Sequence, residues 1–426
     1  MKTYQDLLRT GSGERMDFVY GLIREHQGSA LYAQARLGDD YNRRRNTTIL
    51  RYQRTLRTLS GRIIPDRWSP DHKLTSAFFQ RFVAQEVQYL LGNGVTWQKP
   101  DTAARLGKGF DSVLQRLGEQ ALTGGCAFGF WNLDHLEGFS LLEFAPLYHE
   151  ETGALSAGVR FWQLSPEKPL RATLYEPEGY TEYLWEDGQG RILRDRQPYK
   201  VIARFTPAGG EEEVRSENYP GFPIVPLWGN PQHQSELVGL QEQIDAYDLI
   251  KSGFAGDLDN AQVYWILHNT GGMDDVDLAE FLERLHTVRA AAVDTDAGAG
   301  VESHTVEIPS QAREMLLDRL SRDLYRDAMA LDTEALAAGA VTATQIRAAY
   351  EPLNSKTDRF EYCVLDFLLA ILSLAGIEDT PTFTRSAMLN IQEDVSTILS
   401  AADCLDREYV KNKILTLLGD GDQGKA

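Results

Sequence analysis

The spacing of apolar residues changes from a helical to a strand-like period near residue 126, and this change constrains the fold most strongly. Before it, residues 74–97 carry apolar side chains at helical spacing, and Gly92-Asn93-Gly94 within this segment predicts the end of the helix. A second helix is predicted over residues 110–122. After it, seven short β-rich runs alternate with turn sequences between Cys126 and Glu217. The chain is therefore predicted to be α+β, with an antiparallel sheet of hairpins.

A second group of elements follows the predicted sheet. Residues 219–236 are rich in proline and glycine, which favours an extended path and predicts a domain boundary. Residues 237–260 predict a helix whose apolar side chains recur in helical steps while acids occupy much of the rest. Residues 309–332 predict another long helix, with Pro309 in its first turn. Between these two helices a compact α/β insert is predicted, with a strand over 261–269, a helix over 274–288 and a hairpin over 290–308.

The rest of the chain is predicted to be mainly helical. Residues 333–341 are mostly small and predict a loop, which a long amphipathic helix with a kink at Pro352 follows. The tail contains one predicted strand, "TPTFTR". Two further helices are predicted there, over residues 391–402 and 407–418.

Charge is unevenly distributed along the chain. There are 43 Lys and Arg against 62 Asp and Glu, a formal net charge of -19, which argues against a surface built to grip phosphate. Residues 41–67 are the exception, with eight arginines and one aspartate. In an acidic protein we favour a neighbouring copy or solvent over nucleic acid as the surroundings of this segment. The candidate contact residues of this basic stretch are Arg43, Arg44, Arg45, Arg51, Arg54 and Arg57.

Sequence signatures of catalysis and cofactor binding are missing. The chain contains no GxxxxGK[ST], GxSxG or HExxH motif, so no nucleotide site, hydrolase nucleophile, metal or cofactor is predicted. Its three cysteines lie far apart without a CxxC, which gives no support to a disulfide framework. Paired carboxylates are plentiful, so an acidic hydrolase using an Asp/Glu pair stays open as an alternative. Neither a membrane span nor a signal peptide is predicted, and a cytosolic protein is expected.

Three segments carry a resemblance to a known family: "YLLGNGVTW" at residues 89–97, "GFPIVPLWGNPQHQSELVGLQEQIDAYD" at 221–248 and "AVTATQIRAAYEPLNSKTDRFE" at 340–361. In order and spacing they resemble the portal proteins of tailed bacteriophages, in particular the Gp6-like group of phages with long non-contractile tails. The resemblance extends over residues 51–418. The third segment departs from the family, which commonly has a Ser-Gly-(Val/Ile)-Ala turn where this chain has Ala-Val-Thr-Ala.

The resemblance implies a portal-type protomer that assembles with copies of itself into a ring, typically of twelve. Residues 1–234 would form a helical and antiparallel-sheet wing, and residues 342–387 would add the long kinked wing helix and a strand. The other parts would be stem helix 1 (235–260), a small α/β clip (261–308), stem helix 2 (309–332), the tunnel loop (333–341), and a short helical crown with the tail (388–426).

The function that the resemblance implies is a channel at the capsid vertex for packaging and ejecting DNA, not an enzyme. Double-stranded DNA would pass without sequence specificity. Because the chain shows no ATP site, a partner ATPase, the large terminase, would drive packaging. A head-completion or adaptor protein and the major capsid and scaffolding proteins would be further partners, with no membrane contact. The protein would reside in the virion after assembly in the host cytoplasm. A ring-forming scaffold of non-viral origin is a further alternative.

Residue assignments follow from the same resemblance. A bore lined by acid would repel phosphate and hold the duplex weakly, so the tunnel-facing stem residues would be Glu242, Asp245, Asp248 and Lys251. The tunnel loop would contain Thr333, Glu334, Ala335, Leu336, Ala337, Ala338, Gly339 and Ala340. The clip residues that dock the terminase or adaptor would be Asp274, Asp275, Glu280, Glu283, Arg289, Asp294 and Asp296.

Overall fold

The computed structural model describes residues 2–57, 61–66, 69–205, 211–259, 263–268, 300–305, 309–337, 342–386, 399 and 407–417. The chain divides into two compact units. Unit 1 contains Met1–Thr47, Ala77–Glu242 and Arg322–Ala426, and unit 2 contains Thr48–Ser76 and Gln243–Ser321. Helices and antiparallel strands occur in both units, so the prediction of an α+β chain is confirmed.

Several helices begin where the sequence supplies a cap. Thr3 and Asp6 form a capping box at the first helix, and Thr342 and Gln345 form another at the longest one. No described helix has both the length and the apolar composition needed to cross a membrane. The described helices are α1 (Tyr4–Arg9), α2 (Arg15–Gln27), α3 (Ala30–Asn42), α4 (Thr47–Arg51), α5 (Phe78–Leu91), α6 (Thr102–Leu106), α7 (Phe110–Gly124), α8 (Gln241–Asp259), α9 (Ser310–Asp327), α10 (Thr333–Ala337), α11 (Ala343–Ala375) and α12 (Arg407–Leu417).

All strand pairs in the described residues are antiparallel. The strands are β1 (Thr55–Arg57), β2 (Ile63–Pro65), β3 (Val95–Trp97), β4 (Cys126–Asn132), β5 (His135–Ser140), β6 (Phe144–Tyr148), β7 (Leu155–Trp162), β8 (Leu170–Glu176), β9 (Gly179–Glu186), β10 (Gln189–Gln197), β11 (Lys200–Phe205), β12 (Glu211–Glu217), β13 (Ile224–Trp228), β14 (Val263–His268), β15 (Gly300–Thr305) and β16 (Pro381–Phe383). In unit 1 the larger sheets have the orders β10-β9-β8-β7-β6 and β13-β4-β5.

Two apolar layers form the interior of unit 1. Helix α2 packs on the five-stranded sheet through Val19, Leu22 and Ile23, which meet inward side chains of β6–β9. Helix α11 packs against β13, β4 and α5, and its Phe367 and Leu368 are fully buried. The predicted helices at 74–97 and 110–122 are therefore confirmed as core helices, within the bounds of α5 and α7.

Residues 219–236, which were predicted as a domain boundary, lie inside unit 1, whose middle segment extends to Glu242. Ile224–Trp228 forms β13, which pairs along β4 with Pro226 opposite Phe128, so the segment belongs to unit 1. A proline is tolerated here because β13 is the outer strand of its sheet and needs no donor on its free side. Strand β10 was also not predicted, because its residues are mostly polar and exposed and show no apolar alternation.

In unit 2, the described part of the insert is a two-stranded sheet. The predicted strand over 261–269 is confirmed as β14. Its partner β15 lies in the predicted 290–308 hairpin, but β15 pairs with β14 in the register Val263 opposite Thr305. The predicted helix over 274–288 and all seven clip residues lie outside the described residues.

The predicted stem and tunnel segments differ from the structure at their ends. Residues 236–240 form a turn, with Gly239 at φ 85°, so α8 begins at Gln241 rather than near residue 235. Helix α9 ends at Asp327, and Met329 takes a positive φ of 53°. The predicted tunnel loop begins with helix α10, because Asp332 accepts hydrogen bonds from the N–H groups of Glu334 and Ala335 and caps it. Ala338, Gly339 and Ala340 lie outside the described residues.

Helix α11 confirms the predicted long helix after the tunnel segment. It continues through Pro352 and ends at Gly376 in the left-handed conformation. The predicted tail strand is confirmed as β16, which pairs with β3. The last predicted helix is confirmed as α12. The predicted helix over 391–402 lies outside the described residues except Leu399.

Candidate functional site

The candidate site is the acidic helix α8 and the segments of unit 2 that pack on it. An extended segment, residues 70–76, runs along α8. The N–H of Ser76 donates to Asp248 Oδ1 at 2.9 Å, and the N–H of Leu74 donates to Ser252 Oγ at 3.0 Å. One helical turn further, a Cβ at Gly256 would lie 3.1 Å from the carbonyl oxygen of Pro70. Asp248, Ser252 and Gly256 are four residues apart, so they share one face of the helix.

The structure corrects the expectation that Asp248 faces a channel. Asp248 is 0% exposed, and its carboxylate serves the backbone of the 70–76 segment. A buried peptide N–H needs an acceptor, and a carboxylate supplies a strong one. Asp248 is therefore a structural residue of unit 2 and not a lining residue.

Asp257 is the second acid of α8 that unit 2 uses internally. Its Oδ2 lies 2.5 Å from Arg313 Nη1, in α9, and its Oδ1 lies 3.6 Å from Arg54 Nη2. Arg54 also donates to the carbonyl of Pro70 at 3.3 Å, and the Arg313 guanidinium lies over the ring of Phe254. One carboxylate thus joins α8, α9 and the arginine-rich segment.

A cavity of about 300 Å³ lies beside this carboxylate, and charged groups of both signs surround it. His72 Nε2 lies 2.5 Å from Asp259 Oδ2, and Lys73 Nζ lies 2.8 Å from Asp71 Oδ1. Lys73 also donates to the carbonyl of Tyr52. Because the acidic and basic side chains around the cavity form ion pairs with one another, these pairs link the segments of unit 2 that line it. Among the described residues no group of His, Cys, Asp and Glu could hold a metal ion.

Three of the six arginines of the predicted intersubunit stretch have partners in their own chain. Arg54 pairs with Asp257, Arg43 pairs with Asp39 at 2.9 Å, and Arg44 donates to Gln80 Oε1 at 2.7 Å. The acid that pairs with Arg54 therefore lies in the same unit, and the expected contact of this stretch with a neighbouring copy stays a prediction. Arg45 and Arg51 are exposed, and Arg57 is placed by its backbone in β1.

The remaining predicted stem residues keep access to solvent. Glu242 is exposed, and Asp245 and Lys251 are half-buried. Of the predicted tunnel residues, Thr333, Glu334 and Ala335 are exposed in α10, whereas Leu336 packs on a cluster with Tyr89, Leu331, Tyr350 and Leu353. Sequence reasoning missed the roles of Asp257 and Arg313. It also missed the packing of residues 70–76 on α8, for which the sequence gives a signal. Asp248, Ser252 and Gly256 recur every four positions, and small or hydrogen-bonding residues at this spacing indicate close approach of another segment.

Comparison of the amino-acid sequence with known proteins identifies the family of this chain. Residues 39–415 match the family model described as "Phage portal protein, SPP1 Gp6-like". The portal protein of Clostridium phage phiCD119 is 29% identical over 231 residues, which are 49% of this chain and 51% of that protein. The portal protein of Bacillus phage SPP1 is 23% identical over 379 residues, 82% of this chain and 73% of that protein. The chain thus spans about half the length of the first of these relatives.

Solved structures from gene transfer agent (GTA) particles are also similar. One, titled "Neck of empty GTA particle computed with C6 symmetry", has a TM-score of 0.41 and 14% identity, with 81% of this chain and 90% of that chain covered. Another, from the virion of the native particle, has a TM-score of 0.36 and 12% identity, with 79% and 99% covered. Since the family model matches residues 39–415, most of the sequence, the chain belongs to the SPP1 Gp6-like family of phage portal proteins.

Proposed function

We propose that copies of this chain close into a ring at a phage capsid vertex and form the channel through which double-stranded DNA is packaged and ejected. The observation that carries the proposal is the family match over residues 39–415, which includes both long helices of the candidate site. The ring is the expected assembly because one heterologous surface, repeated around an axis, closes on itself.

Exposed apolar side chains on α8 and α9 support a repeated interface. Leu258 and Met315 are 60% and 67% exposed, and Leu249 and Leu316 are also exposed. These four side chains would be removed from water if a partner covered this part of α8 and α9. A second copy of the chain is the partner that a ring supplies, and we place these residues at the contact between neighbouring stems.

Three residues of α8 that keep access to solvent are proposed to face the channel. Glu242 is exposed, and Asp245 and Lys251 are half-buried, whereas Asp248 and Asp257 are held by Ser76 and by two arginines. Carboxylates there would repel DNA phosphates and keep the duplex weakly held. The exposed residues of α10 and those of 338–341 would form the narrow tunnel element, with Glu334 continuing the acidic lining.

Residues 261–308 are proposed as the clip that docks the large terminase ATPase during packaging and an adaptor protein afterwards. Asp274, Asp275, Glu280, Glu283, Arg289, Asp294 and Asp296 are its candidate docking residues. Arg45, Arg51 and Arg57 remain candidates for contact with a neighbouring copy, since both sign and position suit an acidic partner. Capsid and scaffolding proteins would surround the ring in the virion after assembly in the host cytoplasm, and no catalytic role is proposed.

The lining role of α8 is tested by the double variant Glu242→Gln/Asp245→Asn in a DNA packaging assay with the assembled ring. We expect the ring to form and DNA passage to slow, because the bore loses its repulsion of phosphate. Raising the ionic strength should narrow the difference from the unmodified protein, since salt screens that repulsion. Glu151→Gln, an exposed acid in a unit 1 turn, is the matched control. Equal packaging rates at low salt would contradict the lining role.

A further inference from the structure

Unit 1 contains a lysine whose ammonium is held between two carboxylates from distant parts of the sequence. Lys356 Nζ, in α11, lies 2.8 Å from Glu86 Oε2 in α5 and 3.1 Å from Glu236 Oε2 in the turn before α8. The Lys356 side chain is 13% exposed and that of Glu86 is 2% exposed. Such a buried group of charges needs complete pairing, because each unpaired charge would lose its hydration without compensation.

Glu236 is the member of this group that belongs to the segment leading into α8. Its N–H donates to the carbonyl of Leu122 at 2.9 Å, and its Oε1 accepts from Asn230 Nδ2 at 2.8 Å. The preceding Ser235 donates through Oγ to the carbonyl of Thr123 at 2.6 Å. These bonds tie the segment to α7, while the second carboxylate oxygen of Glu236 is left to Lys356.

A cavity of about 400 Å³ in unit 1 lies beside this group of charges. It is lined by Glu86, Glu236 and Lys356, by Gly239 just before α8, and by Met329 just after α9. Both Gly239 and Met329 have positive φ, at 85° and 53°. A non-glycine residue at positive φ is uncommon and is kept only where the surroundings hold it. The cavity leaves room for these two backbone turns to rearrange if that hold is lost.

Electrostatics indicate how strongly the pairing depends on one side chain. Burial acts to lower the pKa of Lys356, but the carboxylates of Glu86 and Glu236 outweigh burial and raise the pKa above the usual lysine value. Burial raises the pKa of Glu86, and the ammonium of Lys356 opposes that rise. Lys356 is therefore charged, and its removal would leave two carboxylates with no cation to compensate them.

We infer that Lys356 is a positioning residue, which through Glu236 fixes the turn at residues 230–240 from which α8, the helix proposed to line the channel, starts. The inference about the turn concerns the protomer alone. Its consequence for the channel rests on the proposed function.

The test is amide hydrogen exchange on the full-length chain with Lys356→Met, a variant of similar length without charge. We expect exchange at residues 230–240 to become at least about tenfold faster, because Glu236 then moves toward water. Exchange in the β6–β10 sheet should stay unchanged. Adding Glu236→Gln to Lys356→Met should make exchange at 230–240 no faster than Lys356→Met alone does, since both changes remove the same ion pair. Lys108→Met, at an exposed position, is the matched control and should change nothing.

If Lys356→Met prevents folding, Glu236→Gln alone provides the test, because the Lys356–Glu86 pair remains and only the turn should loosen. Unchanged exchange at 230–240 in the variants, or equally faster exchange across all of unit 1, would overturn the inference. Imaging of Lys356→Met assemblies tests the consequence separately, and a disordered stem is expected there. Faster exchange at residues 230–240 in Lys356→Met would support the positioning role even if the unmodified protein formed no ring. The missing ring would contradict only the proposed function.

Discussion

At the scale of single residues, similar side chains in this chain have opposite roles because their surroundings differ. Asp248 and Glu242 lie on the same helix six positions apart, yet Asp248 is buried and accepts a backbone hydrogen bond, whereas Glu242 is exposed. Only the exposed carboxylate can act on a ligand in a channel. The buried one completes the hydrogen bonding of Ser76, and replacing it would alter the fold before it altered any lining.

His26 predicts a dependence of stability on pH. It is 2% exposed, with Nε2 2.8 Å from the carbonyl of Leu141, and burial lowers its pKa below 6.5. The unfolded chain therefore binds a proton more readily than the folded one. The contribution of neutral His26 to the free energy of unfolding is present above the pKa of the unfolded state. It is lost as pH falls from 6.5 toward the pKa of the folded state, by at most about 1.4 kcal/mol per pH unit.

The measurement is urea unfolding between pH 7.5 and 5.5 for the unmodified chain and for His26→Gln, in which an amide N–H can donate to Leu141. We expect a smaller loss of stability on acidification in His26→Gln. His135→Gln is the control with the opposite sign, because a hydrogen bond to Asp134 raises the pKa of His135. An equal acid sensitivity in His26→Gln and the unmodified chain would show that His26 does not contribute.

At the scale of elements, α8 is defined more by what packs on it than by its own composition. The 70–76 segment and α9 both use acids of α8, through Asp248 and Asp257, and these acids hold together the described parts of unit 2. The net acidity of the helix therefore overstates the charge that remains for a ligand.

The Arg313–Asp257 pair is expected to stabilise unit 2. Arg313→Met should lower the free energy of unfolding by about 2 kcal/mol, because a mostly buried carboxylate loses its closest cation. A double-mutant cycle with Asp257→Asn, followed by urea unfolding, should give a coupling energy of about 1 to 2 kcal/mol. Arg326→Met is the control on the same helix, since Arg326 is 71% exposed and its pair with Asp323 should contribute less than about 1 kcal/mol. A coupling energy near zero would exclude the structural role of Asp257.

The elements also show what the sequence could and could not predict. Helices α5, α7 and α11 were predicted because their apolar periodicity is local information. The burial of Asp248 was not predicted, because its hydrogen-bond partner Ser76 is 172 residues away in the sequence. Strand β13 was missed because a proline-rich stretch reads as a linker until an edge position is available for it. Helix α10 was missed because a single cap at Asp332 decides the conformation of a short segment.

At the scale of the whole molecule, a channel requires that several copies of the chain assemble. The exposed apolar side chains of α8 and α9, such as Leu258 and Met315, and the exposed acid Glu242 have a common explanation if neighbouring stems pack side by side around a channel.

Charged substitutions on these helices should prevent assembly without unfolding the chain. We expect Leu258→Lys/Met315→Lys to remain folded by circular dichroism and to behave as a monomer in light scattering, because lysines cannot be buried unpaired between neighbouring stems. Leu164→Lys is the control, since Leu164 is 87% exposed and belongs to unit 1. Rings of normal mass in the double variant would show that α8 and α9 do not form the interface between neighbouring copies.

The most direct test of the central claim is the mass and shape of the full-length protein in solution, measured by native mass spectrometry together with electron microscopy. We expect a closed ring of identical chains with a central hole that admits duplex DNA. Only monomers, or oligomers without a central hole, at every concentration measured would contradict it.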